Sequence, residues 1–142
     1  MSENIKPLSA VEGKAYINGI EVMDSVKMTI RFVPKVANYR IVGKKGTHRR
    51  WVGYDITGTL DEYKTTARYE KIVKDYISDG KTPEFTFQGI RTDRDSDYYE
   101  TVGSESVTVT GAVITGEIPL LDIDTDGELV KESIAFGARN VV

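Results

Sequence analysis

Apolar and polar residues alternate with a period of two along much of the chain, which is the pattern of half-buried β-strands. Strands covered on both faces would appear as continuous apolar runs, so the alternation favours antiparallel strands with one face on a core. The alternating segments are 15–17, 20–22, 26–32, 54–61, 84–88 and 106–110, and a last strand is predicted from Val130 to Phe136.

Two features locate turns and ends among these strands. Asn18-Gly19 separates the first two segments and predicts a tight hairpin turn, because both residues adopt positive φ readily. The strand that begins near Val26 is predicted to end near Pro34, since proline lacks the N–H group of a sheet ladder.

One amphipathic helix is predicted from about Ala67 to Ser78, with Thr65 or Thr66 as its cap and Gly80 beyond its end. Its apolar stripe is formed by Tyr69, Ile72, Val73, Tyr76 and Ile77. A single helix covers one face of a sheet. The predicted fold is therefore mainly β, an antiparallel β-sandwich or barrel with one packed α-helix, in a single domain over residues 1–142.

The composition of the chain excludes several classes of protein. The chain has 142 residues, enough for one domain, and it has no cysteine, which excludes disulfides and thiolate metal sites. The N-terminus lacks the apolar segment of a secretory signal, and no apolar run approaches the ~20 residues that span a bilayer. We expect a cytoplasmic protein without stable membrane binding.

Charge is unevenly distributed along the chain. Residues 1–60 carry ten Lys/Arg and five Asp/Glu, whereas residues 61–142 carry nine and 17, for a total of -3. Either the surface is simply solvated with an accidental bias, or basic and acidic faces meet when copies associate head to tail.

The polar faces of three predicted strands carry Thr, Gln or Ser and few charges, namely Thr57 with Thr59, Thr86 with Gln88, and Ser106 with Thr108 and Thr110. One explanation is that Thr suits strands in general. The other is a wet, weakly interacting wall such as the lining of a channel, because an ordinary solvent face carries more Lys and Glu.

Motifs for metals and catalysis are incomplete. Residues 122–127 match the first half of a calcium loop, but Ser133 occupies the position that needs a bidentate Glu. Asp93, Asp95 and Asp97 repeat the spacing without the required Gly. The single histidine, His48, lies among Lys and Arg residues, which repel cations. We expect no cofactor, no metal and no enzymatic activity.

The segment from Gly43 to Arg50 is a basic loop followed by Trp51 and Tyr54. It lacks the glycine spacing of a phosphate-binding loop. Basic residues beside aromatic ones suit a nucleic acid, so a monomeric β-barrel that binds nucleic acid through this loop is the alternative function. The acidic net charge opposes it.

The order of these elements resembles the tail tube proteins of contractile phage tails, in particular those of PBSX-type phage-like elements and R-type bacteriocins. The resemblance extends over nearly the whole chain. It rests on Gly13-Lys14 with the following hairpin, the glycine-flanked basic loop, Gly58-Thr59-Leu60, the helix through Asp75-Tyr76, residues 83–87, and Leu121–Asp124 with Ile134-Ala135-Phe136.

The resemblance implies a structural subunit that forms stacked hexameric rings, in which each copy adds two β-hairpins to a barrel around a lumen. It implies as partners further copies of the chain, a tail sheath protein, and baseplate and tail-terminator proteins, with DNA only as possible cargo. Assembly would take place in the bacterial cytoplasm, before the protein becomes part of a virion tail or a released bacteriocin particle.

On this basis three sets of residues have expected roles. Those expected to face the lumen are Thr29, Arg31, Asp55, Thr57, Thr59, Thr86, Gln88, Thr108 and Thr110. Those expected to contact a neighbouring subunit are Lys44, Lys45, His48, Arg49 and Arg50. The apolar stripe of the helix, from Tyr69 to Ile77, is expected to pack on the sheet face opposite the lumen.

Overall fold

Antiparallel strands make up most of the protein, which confirms the predicted fold class. The computed structural model describes residues 5–9, 13–65, 68–121, 123 and 129–142. In these ranges the elements are β1 (Lys14–Ile17), β2 (Ile20–Glu21), β3 (Ser25–Tyr39), β4 (His48–Tyr63), α1 (Arg68–Asp79), β5 (Phe85–Arg91), α2 (Asp97–Thr101), β6 (Glu105–Ile114), β7 (Lys131–Ala138) and β8 (Asn140–Val141).

The strands form two layers that share β6. The first sheet has the order β2-β1-β5-β6, with β8 also bonded to β6, and the second sheet has the order β6-β7-β4-β3. β6 pairs with β5 as far as Ala112 and with β7 at Val113 and Ile114. Gly111 lies at this change of partner with φ +62°, a conformation that favours glycine, so it forms the corner between the sheets.

The core fills the space between the two sheets. Phe87 of the first sheet stacks on Phe136 of the second, with ring centroids 4.1 Å apart. Gly58 lies on the core side of β4 below this ring, where a Cβ atom would come within 2.5 Å of Phe136 Cζ. The other fully buried large apolar side chains are Ile56, Leu60, Val109 and Ile134.

The Asn18-Gly19 turn is present as predicted, with φ values of 52° and 82°. Its Asn18 side chain also accepts a hydrogen bond from the Thr86 amide at 2.8 Å, which ties the hairpin to β5. The prediction that the next strand ends near Pro34 is wrong, because β3 continues to Tyr39. Among the described strands β3 pairs only with β4, so it lies at the edge of the sheet, and edge strands tolerate proline.

The described residues contain two helices, whereas the sequence predicted one. α1 ends as predicted before Gly80, whose amide donates to the Tyr76 carbonyl at 2.7 Å. The start of the predicted helix, including the cap Thr66, falls outside the described residues, and the Thr65 hydroxyl donates instead to Asp24. α2 is too short to show a period, but Ser96 caps it by accepting a hydrogen bond from the Tyr99 amide.

Candidate assembly surfaces

The outer parts of β3 and β4 extend beyond the sandwich as a two-stranded arm, defined here as residues 33–54. No residue of this arm is buried. It contains six Lys/Arg and no Asp/Glu, so its charge is +6, and the rest of the chain carries -9 to give the total of -3. The arm is therefore a basic projection on an acidic body.

The two faces of the arm differ because side chains alternate along each strand. An irregularity in the pairing places Val36 opposite Trp51 and Asn38 opposite Arg49, on the side that continues the core face. On the same side Phe32 contacts both Trp51 and Tyr54, each with ring centroids 5.5 Å apart. We call this side the aromatic face. Trp51 is 64% exposed, so the core's apolar surface continues uncovered onto the arm.

The opposite face of the arm carries Tyr39, whose ring stacks on His48 at 5.3 Å, and Arg50 opposite Ala37. At the tip, a turn brings the Lys44 amide to the Ile41 carbonyl at 3.0 Å. Lys44 and Lys45 thus lie in the tip, whereas His48, Arg49 and Arg50 already belong to β4. The structure brings these predicted contact residues together at the far end of the arm, on two different faces.

The nine residues expected to face a lumen divide between two surfaces. Thr29 and Thr59 are hydrogen-bonded neighbours, with hydroxyl oxygens 2.8 Å apart, on the outer face of the second sheet. Strand register places Arg31, Asp55 and Thr57 on the same face.

The remaining four belong to the outer face of the first sheet. Gln88 donates to Ser106 at 3.2 Å and lies opposite Thr108, and alternation adds Thr86 and Thr110 to that side. The nine residues thus lie on the outer faces of two different sheets on either side of the core. Which of them face a lumen stays a prediction.

Only the first part of the α1 stripe is covered by the chain itself. Tyr69 is 3% exposed, and Ile72 packs against the core, while Val73 is half-buried. Tyr76 and Ile77 are 50% and 76% exposed. The predicted packing of Tyr76 and Ile77 on the sheet is not found among the described residues, since the core cluster includes only Tyr69 and Ile72 of this stripe.

A cluster of charged residues fixes the start of α1 to the sheet. Arg68 donates to Glu62, which is 1% exposed, and its guanidinium also lies 3.7 Å from Asp24. Glu132 lies opposite Glu62 in the strand register, and Lys64 Nζ lies 3.9 Å from Oε1 of Glu132. Burial raises the pKa of Glu62 above its usual range, although Tyr69 and Arg68 lower it. The cluster positions the helix.

Acidic residues just before α2 and at its first position bind the N-terminal segment. Asp93 accepts from the Ser9 amide at 3.0 Å, Asp97 accepts from the Lys6 amide at 3.2 Å, and Lys6 Nζ contacts Asp95 at 2.9 Å.

The calcium-like loop from Asp122 to Gly127 lies outside the described residues, apart from Ile123. Within the described ranges, no group of three His, Cys, Asp or Glu is placed to hold a metal ion, and neither helix is long and apolar enough to cross a membrane.

Comparison with known proteins gives consistent results. A family model described as "Phage tail tube protein" matches residues 3–140. The Phage-like element PBSX protein XkdM of Bacillus subtilis (strain 168) is 26% identical over 129 residues, which cover 91% of this chain and 84% of that protein.

Two solved structures share the fold at low sequence identity. A chain from the sheath-tube complex of the extracellular contractile injection system PVC in its extended state has a TM-score of 0.65 at 14% identity, covering 96% of this chain and 90% of that chain. A chain from the 6-fold symmetrised baseplate of the anti-feeding prophage has a TM-score of 0.58 at 10% identity, covering 92% and 89%.

Proposed function

Because this chain belongs to the phage tail tube protein family, we propose that it is the structural subunit of the inner tube of a contractile tail or R-type bacteriocin. In this role copies of the chain form hexameric rings that stack around a lumen. The observation that carries the proposal is the basic arm on an acidic body. Opposite charges on different parts of one chain favour head-to-tail contact between copies, and such heterologous contacts generate rings and filaments.

The second sheet is the better candidate for the wall of the lumen. It consists of two hairpin-like pairs, β3 with β4 and β6 with β7, which matches the two hairpins that each tail tube subunit is expected to contribute. Its outer face carries Thr29, Thr57 and Thr59, whose small hydroxyl side chains bind passing cargo weakly. Arg31 and Asp55 complete this proposed lumen set. Thr86, Gln88, Thr108 and Thr110 then lie on the outside of the tube.

The proposal includes partners beyond the chain itself. A tube of this kind lies inside a tail sheath and ends at a baseplate and a terminator. The similar fold in chains of a sheath-tube complex and of a baseplate supports this set of partners. Assembly in the bacterial cytoplasm, DNA as possible cargo and a role without catalysis belong to the same proposal. The alternative of a monomeric nucleic-acid-binding module gains no support from the comparisons.

Electron microscopy of the purified protein over a range of concentrations tests this function. We expect rings or hollow tubes with six-fold symmetry in averaged end views. A persistent monomer by light scattering at every salt concentration would contradict the proposal. A monomer whose DNA affinity falls steeply with salt, and is lost when Lys44 and Lys45 are replaced by Gln, would instead support the alternative function.

A further inference from the structure

The second half of α1 carries an apolar surface with an acidic border. Tyr76 and Ile77 continue the stripe of Tyr69 and Ile72, yet they are exposed. Asp75 and Asp79 are one turn apart and border Tyr76 on one side of the helix. Neither carboxylate forms an ion pair with another residue in the described part of the chain.

The aromatic face of the arm has the complementary chemistry. Trp51, Tyr54 and Val36 present exposed apolar surface, and Arg49 follows on the same side next to Asn38. Arg49 likewise has no ion-pair partner among the described residues. An apolar surface with a basic border thus faces outward from the arm, whereas the α1 surface is apolar with an acidic border.

The two surfaces cannot meet within one chain. Trp51 lies 12 positions before Tyr63 in β4, which corresponds to about 40 Å along an extended strand. α1 begins five positions after Tyr63, a connection that reaches at most about 18 Å, and its 12 residues span only about 18 Å. A contact between the two surfaces must therefore join different copies.

We propose that the aromatic face of the arm of one copy docks on the exposed half of α1 of a second copy, with Arg49 beside Asp75 and Asp79. This inference rests on the proposed tube function and identifies the receiving surface of the arm. The contact is heterologous, because each copy gives its arm to one neighbour and its helix to another. Burial of Trp51 and Tyr54 with Arg49 provides the aromatic and arginine side chains that dominate many protein interfaces.

Thiol cross-linking of assembled protein tests the contact, because the chain has no cysteine of its own. We choose Val36→Cys on the aromatic face and Ile77→Cys on α1, linked by a short bismaleimide. A head-to-tail contact joins each double variant to two neighbours, so denaturing gels should show a ladder well beyond dimer. Each single-cysteine variant can give at most a dimer. The matched control pairs Val36→Cys with Val102→Cys, a position of similar exposure to Ile77 at the end of α2, and should give no ladder.

Charge reversal tests the same contact without cross-linking. Arg49→Glu should raise the concentration needed for assembly by about tenfold or more, the effect expected when one partner of an interface charge pair is reversed. Asp79→Lys should do the same, and the combination of both changes in one chain should restore assembly. Arg94→Glu is the control, because it makes the same charge change at an exposed residue that lies outside both the arm and α1.

The outcomes separate this inference from the proposed function. If tubes form but the ladder is missing, or if the Arg94 variant is impaired as much as the Arg49 variant, the docking surface is wrong while the tube function stands. If the unmodified protein never assembles, both are overturned. A ladder together with restored assembly in the Arg49/Asp79 combination supports the inference.

Discussion

Replacing Gly58 by Ala should destabilise the protein far more than one added methyl group would suggest. The new Cβ would overlap the carbonyl oxygen of Thr29 in the neighbouring strand and lie 2.5 Å from Cζ of Phe136. Carbon atoms in contact are normally about 3.5–4.0 Å apart, so the ring must retreat by about 1 Å. Phe136 is buried and is already stacked against Phe87, with ring centroids 4.1 Å apart. Overpacking costs typically about 1–3 kcal/mol, and we expect the upper end of this range or more because a backbone atom is involved.

The assay is urea unfolding of dilute protein followed by circular dichroism. With a slope of about 1–3 kcal/mol per molar urea, a loss of about 3 kcal/mol lowers the midpoint by at least about 1 M. Gly53→Ala is the control on the same strand, since its Cβ would meet only Lys35 carbons at 3.7 and 3.8 Å. That variant should be neutral or slightly more stable. Equal midpoints for the two variants would refute the argument that close approach at Gly58 is needed.

Three further predictions follow from the core and α1. Phe136→Ala should lower the free energy of unfolding by about 3–5 kcal/mol in the same assay, and a loss below about 1 kcal/mol would contradict its place in the core. Ile72→Ala should cost stability, whereas Ile77→Ala should leave the monomer unchanged and weaken assembly; equal stability losses would contradict the exposure of Ile77. Burial raises the pKa of Glu62 in the folded protein. The buried Glu62 carboxylate therefore lowers the stability at neutral pH, and this cost disappears as the pH falls towards about 4.3, the pKa of a glutamate in the unfolded chain. Glu62→Gln should therefore be more stable than the unmodified protein at pH 7 and lose that advantage by about pH 4, and an advantage independent of pH would contradict this.

In the inner half of β4, alternation in the sequence was sufficient to predict which side chains face the core. The pattern 54–60 places Ile56 and Leu60 inward, and both are buried. It could not predict which of two sheets a strand joins, because that depends on pairing between distant residues. Thr59 and Thr108 both occupy polar positions of half-buried strands, yet they lie on the outer faces of different sheets.

The assembly surfaces were only partly visible in the sequence. The basic residues around Lys44 and Lys45 could be identified from the sequence. The length of the arm could not, because Pro34 led to the prediction that the strand beginning near Val26 ends there. The absence of any acidic residue between 33 and 54 was a usable signal for it. For α1, the stripe predicted an apolar face from Tyr69 to Ile77. A periodic pattern does not reveal whether a surface is covered by its own chain or by another.

The shared strand β6 has a consequence for how the protein responds to load. Since β6 turns at Gly111 from one sheet into the other, the two layers are joined by continuous backbone as well as by side-chain packing. A force that pulls the layers apart is therefore opposed by the backbone of β6 and by its ladder hydrogen bonds as well as by the core. Loss of β6 from one layer also removes a strand from the other, so we expect the two layers to unfold in one cooperative transition.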